Sequence, residues 1–165
     1  MNIDSQEKVM ENALQATHIA TPALLRHARN TYGAAMRSAL AAAGYDDVPR
    51  NGMYVIGGLA LGAGDVPLGQ LVRELRISKQ SAGQLVDTLV MRGYLDRAVA
   101  PEDRRKLNIT LTDRGHAAAA VQAAAREQID AELVGRVGQE DMDRMRRGLA
   151  ALVDMGAGRD LSDGE

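Results

Sequence analysis

The sequence of 165 residues has no cysteine, no tryptophan and no phenylalanine, and only four tyrosines. Without cysteine there is neither a disulfide framework nor any thiol chemistry. Four scattered tyrosines make no stacking platform for single-stranded nucleic acid. No run of about 18 apolar residues occurs and no basic stretch leads into an apolar core, so neither a membrane span nor a signal peptide is expected, and the reading is cytoplasmic. His18, His27 and His116 are far apart and form no helical i, i+4 pair, so no metal or other cofactor is expected. Nucleophile elbows, phosphate loops and metalloprotease motifs are missing as well, and the chain reads as no enzyme.

What is present is a core-forming composition, 45% hydrophobic, with a net charge of −2 that is unevenly spread. From Leu68 to Lys106 eight cations face five anions, whereas from Val137 to Glu165 four arginines face seven carboxylates. A basic middle with an acidic end suits a molecule that meets phosphates with one part only.

The basic middle also carries the clearest pattern. Leu68, Leu71, Val72 and Leu75 recur at helical spacing after Pro67, and Ile77-Ser78 is the turn that follows. Ser78 is a good N-cap for a second helix, whose apolar stripe is Ala82, Leu85, Val86, Leu89 and Val90 and which ends at Gly93. Gln80, Ser81, Gln84, Asp87 and Thr88 fall on the opposite, polar side. After Tyr94, read as a core residue, Leu95 to Ala98 and Leu107 to Leu111 read as strands, the second alternating strictly, and Ala100 to Lys106 reads as a hairpin turn with three consecutive cations. Two short helices and a basic hairpin in this order predict a winged helix-turn-helix with the second helix facing a major groove. Val66 is expected to add a minimal strand beside the wing.

Ser78-Lys79-Gln80-Ser81, Leu85-Val86-Asp87, Arg92-Gly93-Tyr94-Leu95, Asp103-Arg104-Arg105 and Leu111-Thr112-Asp113-Arg114-Gly115 together resemble the MarR (multiple antibiotic resistance regulator) family of bacterial repressors. By motif the resemblance spans Pro49 to Gly115. The Asp-x-Arg wing element followed by Leu-Thr-x-x-Gly is its most specific part. Gly83 inside the second helix departs from the pattern at a cost of about 1 kcal/mol relative to alanine, and Gln84 and Thr88 stand where relatives often carry arginine. With no cysteine, the peroxide sensing found in some relatives is excluded.

The flanks read as helices with another task. Leu24, Leu25, Ala28, Tyr32, Ala35, Met36, Ala39 and Ala43 recur at helical spacing within Thr21 to Ala43. Asn51 to Leu61 reads as a shorter helix despite its glycines. Thr112 is the expected cap of a long alanine-rich helix with Val121, Ala125, Ile129 and Leu133 in line, and after Gly135 to Gly138 a last helix runs from Glu140 to about Met155, with Leu149, Leu152 and Val153 on its buried side. Residues 1–7 and 156–165 read as frayed. The fold class expected is thus mainly α with a small β-wing, in three parts: an N-terminal arm and dimerisation helix over 1–48, the winged helix-turn-helix over 49–111, and C-terminal dimerisation helices and tail over 112–165. Pairing the outer helices with a second copy is the economical way to cover them, and it sets two recognition helices about 34 to 36 Å apart, one turn of DNA. The resemblance implies the same homodimer.

The function expected is sequence-specific recognition of double-stranded DNA by a transcriptional regulator, a repressor in the family's manner, on a pseudo-palindromic operator. Gln80, Ser81 and Gln84, with Lys79 at the flank, are placed to read base edges. Ser78, Arg50, Asn51, Gln70 and Arg73 are placed to hold phosphates, and the wing residues Asp103, Arg104, Arg105 and Lys106 to reach the neighbouring minor groove. By resemblance Arg105 is the inserted finger and Asp103 the carboxylate that orients it. The resemblance also implies a small-molecule effector, a phenolic or other aromatic anion, for which Tyr32, Met36, Met53, Tyr54 and Ile56 are candidate linings and Arg26 and His27 candidate partners. The competing reading is a winged-helix protein-protein interaction module without specific DNA binding.

Overall fold

The computed structural model describes residues 18–62, 65–67, 78–100 and 103–160. In chain order these form α1 (Thr21–Ala42), α2 (Gly52–Leu61), β1 (Asp65–Pro67), α3 (Lys79–Met91), β2 (Leu95–Ala100), β3 (Asp103–Leu111), α4 (Asp113–Val137) and α5 (Gln139–Asp160). The helix expected over 68–76 lies outside the described residues, as do residues 1–7. The chain divides into two compact units, residues 25–126 and residues 127–165 with those up to 24.

In the unit 25–126 the core is built where the apolar spacing predicts it. Val86 and Leu89 of α3 are buried in one cluster with Met53, Val55, Ile56 and Leu59 of α2, Tyr94 before β2, Leu95, Ile109 and Leu111 from the sheet and Met36 and Leu40 from α1, and Ala82 of α3 is buried as well. The glycines of α2 do not interrupt it, and two of them, Gly52 and Gly57, serve close approach. A Cβ at Gly52 would stand 2.9 Å from Leu89 Cδ2, and one at Gly57 would stand 3.2 Å from Gln122 Oε1. Helix propensity is therefore outweighed by contacts that only glycine permits.

The sheet is antiparallel with order β1-β3-β2, and Val66 pairs with Ile109 as a minimal strand beside the hairpin. The hairpin differs from expectation at its end. Ala100 to Lys106 was the expected turn, yet β2 continues through Ala100 and β3 already begins at Asp103. Val99 pairs with Leu107 and Ala100 with Asp103, so Arg104, Arg105 and Lys106 are inserted into the strand as an irregularity rather than held in a loop. Extra residues on one strand of a pair bend and twist it locally, which is how a run of cations with little strand propensity stays within a ladder.

Two capping residues set the ends of the helices that matter most. Ser78 accepts from the backbone N–H of Ser81 at 3.1 Å to start α3. Thr112 Oγ1 accepts from Gly115 N at 3.0 Å to start α4. After α3, Gly93 has φ of +73°, a left-handed conformation that lets the chain leave the helix toward β2.

The C-terminal helices depart from the sequence reading in four ways. α4 runs through Gly135 to Val137, and the break falls only at Gly138, with φ of +84°. An interior glycine costs about 1 kcal/mol, too little to stop a helix of 25 residues. The most buried line of α4 is Gly115, Ala118, Ala119, Gln122 and Ala125, whereas Val121, Ile129 and Leu133 are half-buried. α5 continues through Gly156 to Asp160, so fraying does not begin at 156. Its expected buried side is exposed within the chain: Leu149 is 37%, Leu152 45% and Val153 70% exposed. Met142 is the buried residue of this helix, and Arg146 pairs with Asp130 at 2.9 Å.

Candidate nucleic-acid interface

Helix α3 is locked on one side and open on the other. With Ala82, Val86 and Leu89 buried, Gln80, Ser81, Gln84 and Asp87 are exposed and Thr88 is half-exposed. Not all of these polar groups are available. Thr88 Oγ1 donates to the carbonyl of Gln84 at 2.8 Å, a bond within its own helix. Asp87 is paired with Arg97 of β2, which neutralises the one carboxylate on this face and ties the helix to the wing. The Ser78 hydroxyl donates to Ser81 Oγ at 2.9 Å, so the cap also orients Ser81. Among the described side chains of α3, Gln80 and Gln84 are the long polar ones that remain.

An open groove is lined by Pro49, Asn51, Ser81, Gln84, Leu85, Thr88 and Arg92. It brings together Asn51, Ser81 and Gln84, three of the residues predicted from sequence. Asn51 precedes α2 and its side chain makes no capping hydrogen bond, and Arg50 beside it is exposed. Gln70, Arg73 and the side chains of Lys79, Asp103, Arg104, Arg105 and Lys106 lie outside the described residues. The backbone of Asp103 to Lys106 belongs to β3, placed directly after the hairpin end.

Sequence reasoning missed a polar cluster at the exit of α3. Asp47, in the loop before α2, accepts from the Tyr94 hydroxyl, and Arg114 Nη2 lies 3.1 and 3.3 Å from its two carboxylate oxygens. Arg92 donates to the Asp47 backbone carbonyl. The Tyr94 hydrogen bond, helped by Arg114 and Arg92, holds the Asp47 carboxyl below the usual carboxylate range, while burial and the neighbouring carboxylate push the Tyr94 phenol up. The signal was present only as fragments: Arg92-Gly93-Tyr94 and Asp113-Arg114-Gly115 are conspicuous, but nothing in spacing connects them with Asp47.

The candidate effector residues separate into two sets. Met36, Met53 and Ile56 are buried members of the core. Tyr32 and Tyr54 are half-buried against it, and Arg26 and His27 are exposed. Arg29, not foreseen, lies over the Tyr54 ring at 4.7 Å from its centroid. His18 and His116 are exposed, and among the described residues no three His, Asp or Glu side chains gather as a metal site. Among the described residues no helix is long and apolar enough to cross a membrane.

A capped helix with a polar outer face, followed by a hairpin that a third strand joins, defines a winged-helix protein. The family model described as MarR family matches residues 46–106, the stretch that holds α2, β1, α3 and β2. Solved structures share the fold over most of the chain. FabT of Streptococcus pneumoniae, crystallised in complex with DNA, is 20% identical with a TM-score of 0.70, covering 83% of this chain and 94% of its own. A MarR transcriptional regulator from Methanosarcina mazei Go1 is 15% identical with a TM-score of 0.70, covering 83% and 96%. RV1404 of Mycobacterium tuberculosis is 24% identical with a TM-score of 0.65, covering 83% and 91%. No curated protein sequence matches the chain.

Proposed function

We propose that this protein is a transcriptional regulator, in the manner of a repressor, that binds a pseudo-palindromic operator in double-stranded DNA as a homodimer. The observation that carries the proposal is α3 itself: a helix capped by Ser78, fixed through Ala82, Val86 and Leu89, and presenting Gln80, Ser81 and Gln84 to solvent. Glutamine pairs bidentately with adenine in the major groove, and serine either donates or accepts. Arg50 and Asn51, with Ser78, Gln70 and Arg73, are assigned to phosphates, and Lys79 to the flank of the reading face. Asp103, Arg104, Arg105 and Lys106 are assigned to the wing's approach to the minor groove, where narrow A·T-rich segments attract arginine. The DNA complex of FabT, a protein of the same fold, supports this direction.

The homodimer is supported by the apolar residues of α5 that the chain itself leaves uncovered: Met145, Leu149, Leu152 and Val153 recur at helical spacing and are all exposed. A contiguous apolar line of this kind marks an association surface, and a two-fold partner presents the same line in return. An anionic aromatic effector is the further part of the proposal. The half-buried Tyr32 and Tyr54, with Arg29 stacked on the latter and Arg26 and His27 exposed on the same helix, support it better than the packed Met36, Met53 and Ile56. A ligand that prefers a misspaced dimer by about 2.7 kcal/mol weakens operator binding roughly a hundredfold.

The test is a mobility shift on the DNA upstream of the protein's own gene in the presence of excess competitor. A retained shift that Gln80→Ala with Gln84→Ala abolishes supports the proposal. Absence of any shift, with capture of a protein partner instead, returns the interaction-module reading.

A further inference from the structure

Three segments far apart in sequence meet at Asp47. The Tyr94 hydroxyl and Arg114 Nη2 both donate to its carboxylate, Arg114 Nη2 is also 3.0 Å from the Tyr94 hydroxyl, and Arg92 holds the Asp47 carbonyl. The Arg114 guanidinium stands 4.5 Å from the centroid of the Tyr94 ring, and Tyr45 meets that ring edge-on at 6.2 Å. Arg92 is the last residue of the α3 exit, Tyr94 follows it, and Arg114 lies in the first turn of α4. Thr112 tightens the same junction: its backbone N–H donates to Tyr94 O at 3.1 Å and its Oγ1 to Gly93 O at 2.6 Å. The Asp47 carboxylate thus gathers one guanidinium and a phenol, and its backbone carbonyl holds a second guanidinium at the end of α3.

We propose that Asp47 is a positioning residue for sequence reading: through Arg92, Tyr94 and Arg114 it fixes the direction in which α3 leaves the core, and so the reach of Gln80, Ser81 and Gln84 to base edges. It acts without touching DNA. The inference rests on the DNA-reading function proposed above and deepens it. A helix held at one end by core packing and at the other by this clamp has a defined pitch, and base-edge hydrogen bonds tolerate little misplacement. Phosphate contacts are more forgiving, since their strength comes mainly from charge. Loss of the carboxylate also removes a negative charge and releases the Arg114 guanidinium, while Arg92 keeps its bond to the backbone carbonyl. Specific and non-specific binding therefore respond in opposite directions.

The experiment compares affinity for the operator with affinity for unrelated duplex DNA of equal length, at fixed salt, in the full-length wild type, Asp47→Asn, Tyr94→Phe and Arg114→Lys, each checked for folding by circular dichroism. Asp47→Asn is expected to lose roughly tenfold in operator affinity, the scale of a lost charged hydrogen bond, while non-specific affinity is unchanged or rises. Tyr94→Phe, which keeps the buried ring, moves in the same direction by less. Arg114→Lys keeps the charge but lacks the planar guanidinium, whose Nη2 meets both carboxylate oxygens and the phenol while its carbon stands 4.5 Å from the Tyr94 ring centroid, and it behaves like the loss of Arg114. A purely structural role predicts equal losses on both DNAs in proportion to the unfolded fraction, and that result overturns the inference. Unchanged discrimination in Tyr94→Phe and Arg114→Lys overturns it too, even where Asp47→Asn fails to fold. Those outcomes leave the DNA-reading proposal standing, whereas a wild type with no preference for the operator removes both.

Discussion

Replacing Gly115 by alanine asks whether the junction between α3 and α4 is as tight as its geometry implies. A Cβ at Gly115 would lie inside van der Waals contact of the Tyr94 carbonyl oxygen and 3.0 Å from Leu111 Cδ2. The carbonyl cannot swing away cheaply, because it accepts from Thr112 N at 3.1 Å and its residue is fully buried. Overpacking of this kind costs about 1–3 kcal/mol and more where backbone must move, so about 3 kcal/mol is expected here. The helix-propensity gain of alanine over glycine returns up to about 1 kcal/mol. A net loss of about 2 kcal/mol lowers Tm by roughly 4–8 °C for a chain of this size. The same substitution at Gly83 is the internal control: among the described residues nothing lies within 4 Å of its Cβ position, and the residue sits inside α3. There the propensity gain stands alone, and Tm rises by roughly 2–4 °C. Thermal unfolding followed by circular dichroism at equal protein concentration reads both variants, since oligomers melt in a concentration-dependent way. A Gly115→Ala protein that melts at or above the wild type refutes the close approach of α4 to Tyr94.

Other consequences can be read with standard measurements. Ser78→Ala removes the N-cap of α3 and the bond that orients Ser81, costing about 1 kcal/mol in chemical denaturation and weakening operator binding as well. Because Asp47 titrates below its unfolded value, its stabilising effect is complete above the usual carboxylate range and is lost as pH falls through the lowered folded value; acid unfolding of Asp47→Asn should therefore lack this part of the pH dependence. Leu152→Glu combined with Val153→Glu places charges on the exposed apolar line of α5 and is expected to give a folded monomer in sedimentation, with operator affinity lost by at least tenfold; a dimer of unchanged affinity contradicts the assignment of that face.

The parts of the fold that local chemistry governs were legible in the sequence. Ser78 and Thr112 announce helix starts through side-chain acceptors, and the stripe Ala82, Val86, Leu89 and the alternation Ile109, Leu111 announce buried faces. The polar side of α3 followed from the same periodicity. Legibility failed where distant segments decide. Asp47, Tyr94 and Arg114 join across 47 and 67 residues, and no periodicity links such positions. The hairpin end was misplaced because Pro101-Glu102-Asp103 reads as a turn and the cations after it as its continuation, whereas strand pairing extends to Asp103 and absorbs Arg104 to Lys106 as an irregularity. The apolar spacing of Leu149, Leu152 and Val153 reads as a buried side, yet these residues are exposed within the chain, because spacing does not tell where cover comes from.

Footprinting of the full-length protein on the DNA upstream of its gene, with wild type beside Gln80→Ala/Gln84→Ala, tests the central claim most directly. The account predicts two protected half-sites about 34 to 36 Å apart, one helical turn centre to centre, in the wild type, with protection lost in the variant under conditions where the folded dimer persists. Protection that is uniform along the fragment, or identical in the two proteins, contradicts it.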